Sequence, residues 1–292
     1  MKILVTGARG QLGSEIRELS KGDNIHEYIF VDRDELPLND LTTIVNVLDA
    51  VCPDVIMSGG AYTAVDKAES EPELVDTINH QAVAVIAEWS NHHRKRLIHI
   101  STDYVFQGTS DTPLKEDEPT DPINVYGLTK QRGEQAILQS GADAVIIRTA
   151  WVYSSHGANF VKTMIRLMKE QEEISVIADQ IGSPTYAGDL AKAVMDIIQS
   201  DNWTKGIYHF SNEGRISWYD FAVAIRDLQG LQCKVNAIPT TQYPTPAKRP
   251  QYSLLDKSKI KAVYSVAVPK WLDSLKVALA RINSDELAST NK

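Results

Sequence analysis

Met1-Lys2-Ile3-Leu4-Val5-Thr6-Gly7-Ala8-Arg9-Gly10-Gln11-Leu12-Gly13 opens the chain, and its reading decides the fold. A short apolar run meets a glycine turn, and an amphipathic pattern follows from Gln11 to about Ser20. That order is strand, turn, helix. Glycines at 7, 10 and 13 let the backbone turn tightly, approach a pyrophosphate and pack the helix on the strand, while the helix start offers free N–H groups to phosphate. A lone glycine triad is a weak signal, but here it has the strand before it and the helix after it that a dinucleotide site requires. Gly7, Gly10, Gln11, Leu12 and Gly13 are expected at the cofactor.

Downstream, Tyr28-Ile29-Phe30-Val31 reads as a second strand ending at Asp32, whose carboxylate can accept hydrogen bonds from an adenosine ribose. Arg33 follows at once and suits a 2'-phosphate, so the choice between NADH and NADPH stays open. Asn39-Asp40-Leu41 precedes a helical stretch, as its cap or as an adenine contact. Asp54 to Met57 is the third strand, with Ser58-Gly59-Gly60-Ala61-Tyr62-Thr63 at its carboxyl end, where ligands of a parallel sheet lie. A helix from Pro72 to His92, a strand at Leu97 to Ile100, a helix from Tyr126 to Ser140 and a strand at Ala144 to Thr149 continue the alternation. The fold expected is α/β, a doubly wound parallel sheet of Rossmann type.

The second half is less regular. A helix at Asn159 to Glu170, a strand at Ile174 to Ile177, a helix at Asp189 to Ile198, a strand at Ile207 to Phe210 and a helix capped by Ser217 are expected, then the proline-stiffened segment Tyr243 to Pro250. With no flexible linker, residues 1–150 read as a dinucleotide-binding domain that regains elements at about 188–211. Residues 151–292 read mainly as a smaller, interleaved substrate-binding domain.

Composition excludes several classes. The chain has 292 residues, 43% of them hydrophobic, enough for a large core. A net charge of -8 argues against a nucleic-acid or anionic membrane surface. Cys52 and Cys233 stand too far apart in sequence for a metal motif or a disulfide framework, and a reducing cytoplasm fits them. No apolar run approaches a membrane span. His80, His92 and His93 read as helix-surface residues without metal-site spacing.

The chemistry gathers between Ser101 and Lys130. Tyr126 and Lys130 are four apart, which on a helix puts both on one face. An ammonium near a phenol favours phenolate and is expected to draw the tyrosine pKa down from about 10, toward a usable general acid. Thr102, at a strand end, can hold a substrate oxygen against that phenol.

Glycine turn, acidic strand end, strand-end hydroxyl and Tyr/Lys pair occur in the order one active site needs, and the combination resembles the extended short-chain dehydrogenase/reductases. Carrying the resemblance are Gly7 to Gly13, Ala61 to Glu69, Ser101 to Phe106, Asn124 to Gly127 with Lys130, Arg148 to Trp151, and Pro244 to Ala247 with Arg249-Pro250. It implies a nicotinamide cofactor bound also by Asp40, Leu41, Ala61, Tyr62, Thr63, Tyr126 and Lys130. It further implies reduction of the 4-keto group of dTDP-4-dehydro-L-rhamnose to dTDP-L-rhamnose, with Tyr126 giving the proton. Thr102, Asp103 and Trp151 would touch the sugar nucleotide, and Arg249 its diphosphate; for Arg249 a surface salt bridge is the competing reading.

Two departures accompany the resemblance. Relatives usually carry Asn-x-Ala-Ala where this chain has Ser58, Gly59, Gly60 and Ala61, which removes an amide and a methyl beside the cofactor. Some members bind magnesium at a homodimer interface through glutamates; Glu15 matches one, the next position is Asp189, and no third ligand aligns in Ser284 to Lys292, so no metal ligand is assigned. A dehydratase or epimerase is the nearest enzyme alternative, but dehydratases need a Glu beside the Asp of Thr102-Asp103-Tyr104. A cofactor-binding regulatory subunit of the same fold is the non-catalytic one.

Overall fold

The computed structural model describes residues 1–290. Six parallel strands form the central sheet: β1 (Lys2–Thr6), β2 (Glu27–Val31), β3 (Val55–Ser58), β4 (Arg96–Thr102), β5 (Asp143–Thr149) and Gly206–His209. Their order is Gly206–His209, β5, β4, β3, β1, β2. The order reverses between β1 and β3, and a crevice opens there at the carboxyl ends of the strands. The fold class expected from the alternating pattern is the one observed.

Both faces of the sheet are buried, as its continuous apolar strands require. Ile3, Val5, Met57, Ile98 and Ile147 pack beneath the helix Ala187–Gln199 and α1 (Gln11–Ser20). Leu4, Ile56, Leu97 and Ile146 face the other way, against α2 (Leu41–Val51) and the helix Ala82–His92. Successive side chains of each strand thus supply two different cores.

A separate apolar cluster holds the second half together, built from Tyr153, Val161, Ile165, Phe221, Ile225, Leu275 and Leu279. Its helices are Phe160–Glu170, Trp218–Gln229 and Trp271–Thr290, beside a two-stranded parallel sheet of Glu173–Ile177 and Lys234–Ile238. Ser217 caps its helix through a capping box with Asp220. The sequence pattern gives no sign of the strand Lys234–Ile238 or the helices Ser258–Tyr264 and Trp271–Thr290.

One expected helix is not uniform. From Pro72 to His92 the chain stays helical, but Thr77–Gln81 forms a π turn. Buried Asn79 lies in that turn and uses its side chain on the Tyr62 backbone, accepting from N–H (2.9 Å) and donating to the carbonyl (3.1 Å). A helix interior would normally leave such an amide in solvent; here it fixes the loop after β3.

Candidate active site

The glycine turn sits at the sheet's reversal point. Gly7 has φ +70°, and a Cβ there would lie 2.9 Å from the Gly60 Cα. Gly59 and Gly60 in turn donate their N–H groups to the Thr6 hydroxyl at 3.1 and 3.0 Å. The Ser58-Gly59-Gly60 departure is therefore part of a two-loop nest that closes around Gly7. α1 starts at Gln11 with no side-chain cap, which leaves first-turn N–H groups without intrahelical partners at the end of the glycine turn. A shallow backbone cradle with a free helix start fits a dinucleotide pyrophosphate. Gln11 also reaches across the molecule, donating to the Val152 carbonyl (3.3 Å) and accepting from Asn159 (3.0 Å).

At the end of β2 the Asp32 carboxylate accepts the backbone N–H groups of Arg9 (2.6 Å) and Arg33 (2.8 Å). Asp40 caps α2, accepting from the N–H groups of Thr42 and Thr43 and from the Thr43 hydroxyl, with Leu41 as the first helical residue. Ala61 and Tyr62 are partly buried and Thr63 exposed beside them; the Tyr62 hydroxyl donates to Glu71 (2.7 Å).

Thr102 ends β4 and caps the short 3-10 turn Asp103–Val105, accepting from the Tyr104 N–H. Its hydroxyl donates to Asp103 at 3.0 Å. The helix Val125–Ser140, capped by Asn124, carries Tyr126 and Lys130; Gly127 lets its first turn approach the Tyr104 carbonyl more closely than a Cβ would permit. The Tyr104 and Tyr126 rings meet edge to face with centroids 5.5 Å apart.

The Tyr/Lys electrostatics differ from expectation. Burial pushes the Tyr126 phenol up to about 12, against a lowering hydrogen bond with Thr102. Lys130 is drawn away: its ammonium donates to the Ile100 carbonyl (2.7 Å) and to His99 Nε2 (3.0 Å), and none of its bonds reaches the phenol. Burial also pulls Lys130 down to about 8, partly offset by Glu134. Desolvation outweighs the helical proximity of the two groups. The phenol is a firmly protonated acid.

Asp103 is 2% exposed, and burial raises its carboxyl to about 6, opposed by hydrogen bonds with Ser253 and Thr102. A carboxyl with a raised folded pKa favours the fold below its unfolded value, about 3.8, and that contribution is lost as pH rises through about 6. The thermal midpoint of Asp103→Asn is expected to gain on that of the unsubstituted protein across this window, by the equivalent of about 3 kcal/mol, and to hold its offset above it. Calorimetry at closely spaced pH values checks this; parallel curves would refute the raised pKa.

Trp151 follows β5 with φ +51°, a strained conformation for a bulky residue, and stacks on Trp218 at 3.7 Å. Arg249 makes the competing contact rather than a free anion fork. Its guanidinium grips Asp66 at both oxygens (2.6 and 2.7 Å) and the Ala247 carbonyl, while Asn124 donates to the Lys248 carbonyl (2.8 Å). These bonds tie the proline-rich strap over the Tyr126 helix start.

The residues considered for magnesium do not fit a divalent cation. Buried Glu15 accepts from Ser154 (2.7 Å) and from Arg281 (2.6 Å), whose guanidinium also bonds Glu18 and the Tyr186 hydroxyl. Asp189 is held by Asn212 and Ser274. The positive charge Glu15 needs is already supplied by Arg281, and no group of three metal-ligating side chains occurs among the described residues. The stretch Ser284 to Lys292 ends outside the described residues. Chelation with EDTA followed by magnesium is expected to leave both thermal midpoint and turnover unchanged; a rise in either on adding magnesium would contradict the Arg281 assignment.

Pattern reasoning assigned no role to Asn79, His99, Glu134 or Arg148. Two of them left a trace: Arg148 opens a stretch that carries the resemblance, and His99 is the one polar residue in the apolar run Leu97 to Ile100.

Residues 1–284 match the family described as the RmlD substrate binding domain. The chain is 39% identical over 286 residues to a dTDP-4-dehydrorhamnose reductase of Aggregatibacter actinomycetemcomitans, covering 94% of this chain and 97% of that one. It is similar to the crystal structure of a dTDP-4-dehydrorhamnose reductase from Clostridium acetobutylicum, with TM-score 0.93, 38% identity and 97% and 100% of the two chains covered. A Bacillus anthracis dTDP-4-dehydrorhamnose reductase solved in complex with NADP gives TM-score 0.91 at 36% identity over 96% and 99%.

Proposed function

Because the chain belongs to the RmlD substrate binding domain family, we infer that it is an NAD(P)H-dependent oxidoreductase that reduces the 4-keto group of dTDP-4-dehydro-L-rhamnose to dTDP-L-rhamnose. The observation that carries the mechanism is the convergence of Thr102, Asp103 and Tyr126 at the carboxyl end of β4. A nicotinamide held in this crevice would supply the hydride for C4. Gly7, Gly10, Gln11, Leu12 and Gly13 would hold its pyrophosphate, and Lys130 its ribose. Tyr126 keeps its proton at neutral pH and gives it to the alkoxide, which is more basic than a phenolate. On substrate binding the Thr102 hydroxyl would turn its one proton from Asp103 to the carbonyl and orient it against the phenol, and Trp151 offers an aromatic face to the sugar nucleotide. Arg249 acts through the strap it ties to Asp66.

The Asp32 carboxylate is spent on the backbone N–H groups of Arg9 and Arg33, which favours NADPH by leaving it less free for a ribose hydroxyl, and the Arg9 guanidinium beside it is paired with Asp34. Among the described residues no helix is long and apolar enough to cross a membrane; the cytoplasm is our proposed location, resting on the reductase reading. Whether a homodimer forms without metal is read by sedimentation. The deciding assay follows loss of reduced-nicotinamide absorbance with dTDP-4-dehydrorhamnose, run with NADH and NADPH. Consumption with formation of dTDP-rhamnose and a higher kcat/KM for NADPH is expected; absence of turnover with cofactor bound would refute the reductase.

A further inference from the structure

Behind Tyr126 lies a buried polar line of which the reaction as described uses only Lys130. Ser58, His99 and Lys130 are 2%, 0% and 2% exposed, and come from β3, β4 and the helix Val125–Ser140. His99 Nε2 lies 3.0 Å from the Lys130 ammonium, and its Nδ1 lies 3.1 Å from the Ser58 hydroxyl. An ammonium has only protons to offer, so Nε2 must be the acceptor and the imidazole proton must sit on Nδ1, donated to Ser58. The ammonium thereby sets the tautomer, and the hydroxyl of Ser58, at one of the positions where this chain departs from the usual pattern, accepts the Nδ1 proton.

We propose that His99, held by Ser58, is a positioning residue for Lys130: it and the Ile100 carbonyl take two of the three ammonium protons and leave the third for the nicotinamide ribose. This rests on the reductase reading for its consequence but not for its geometry. Two fixed acceptors remove the rotation of a flexible lysine head, so the remaining N–H is aimed before cofactor arrives. They also stabilise the charged form in a site where burial opposes it. The charged or titratable groups facing this ammonium are His99 from β4 and Glu134 one turn along its own helix, and Glu134 is already paired with Arg148 from β5. His99 itself is kept neutral, first by burial and then by Lys130.

Two measurements test the proposal. In the intact protein, nitrogen-15 shifts of the His99 ring are expected to report a neutral Nδ1–H tautomer at neutral pH, a readout that needs no turnover. An imidazolium or an Nε2–H tautomer would overturn the proposal even if the reductase assay succeeds. In steady-state kinetics, His99→Leu removes the acceptor and His99→Gln places an amide oxygen near the same point. His99→Leu is expected to weaken reduced-cofactor KM about tenfold, the effect of one charged hydrogen bond, and to move the alkaline limb of kcat/KM about one unit toward acid. His99→Gln is expected to restore most of both. Loss of thermal stability in His99→Leu with KM and the alkaline limb unmoved would make His99 a packing residue only. If the unsubstituted protein turns over no substrate, the reductase reading fails and the ring shifts alone decide the proposal.

Discussion

Tyr126→Phe is expected to lower kcat by about 10²–10⁴-fold, the usual contribution of a positioned general acid, while reduced-cofactor binding stays within about threefold of the unsubstituted value, as for a group that acts on a proton. The asymmetry follows from geometry. The phenol lies with Thr102 at the end of β4, whereas the glycine nest and the start of α1 form at the ends of β1 and β3. Phenylalanine preserves the edge-to-face contact with Tyr104 and removes only the hydroxyl. Binding by cofactor fluorescence and single-turnover absorbance separate the two quantities. Unchanged turnover in Tyr126→Phe would assign the proton to another group.

The raised phenol pKa shapes the pH response of this acid. Protonated Tyr126 persists through neutral pH and is lost only as pH approaches about 12. The alkaline limb of activity should therefore arise earlier, from loss of the Lys130 charge near about 8. A limb set by lysine rather than tyrosine is the opposite of what helical spacing alone suggests.

That reversal marks where sequence reading stops. Strand, turn and helix at Ile3 to Ser20 were legible because glycine spacing and apolar periodicity are local properties. So were the two-faced parallel strands, whose continuous apolar runs have few other uses. The π turn at Thr77–Gln81 was not legible, because it exists to carry Asn79 to Tyr62, a partner seventeen positions away in the chain. Lys130 escaped for the same reason: its hydrogen-bond partners come from β4, thirty residues before it. Arg249 shows a third case, in which residue type suggests an anion site but the fold brings Asp66 to both prongs of the fork. Local pattern gives the elements, and burial decides what their polar side chains do.

Arg148→Met is expected to cost about 3–5 kcal/mol of stability, lowering the thermal midpoint by on the order of 10 °C. Arg148 and Glu134 are each 3% exposed and form a bidentate pair, with Nη2 to Oε2 at 2.7 Å and Nε to Oε1 at 3.0 Å. Ser101, the residue before Thr102, donates its hydroxyl to the same carboxylate, and the Arg148 guanidinium stacks over Phe106 with 4.9 Å to the ring centroid. Methionine keeps much of the stem but takes the bonded counter-ion from a carboxylate in a dry site, leaving it only the more distant Lys130 ammonium. Breaking such a pair costs more than the pair contributes over an apolar replacement, because the surviving charge stays buried. The double substitution Arg148→Met with Glu134→Leu should therefore recover most of the lost stability. Its activity should remain low: Glu134 joins the helix bearing Tyr126 and Lys130 to the strand ending in Thr102, so loss of that join loosens the donor's position even where the fold is restored. Recovery of both stability and turnover in the double variant would show that the join contributes to folding alone; failure of stability to recover would show that packing against Phe106, rather than charge, is what Arg148 supplies.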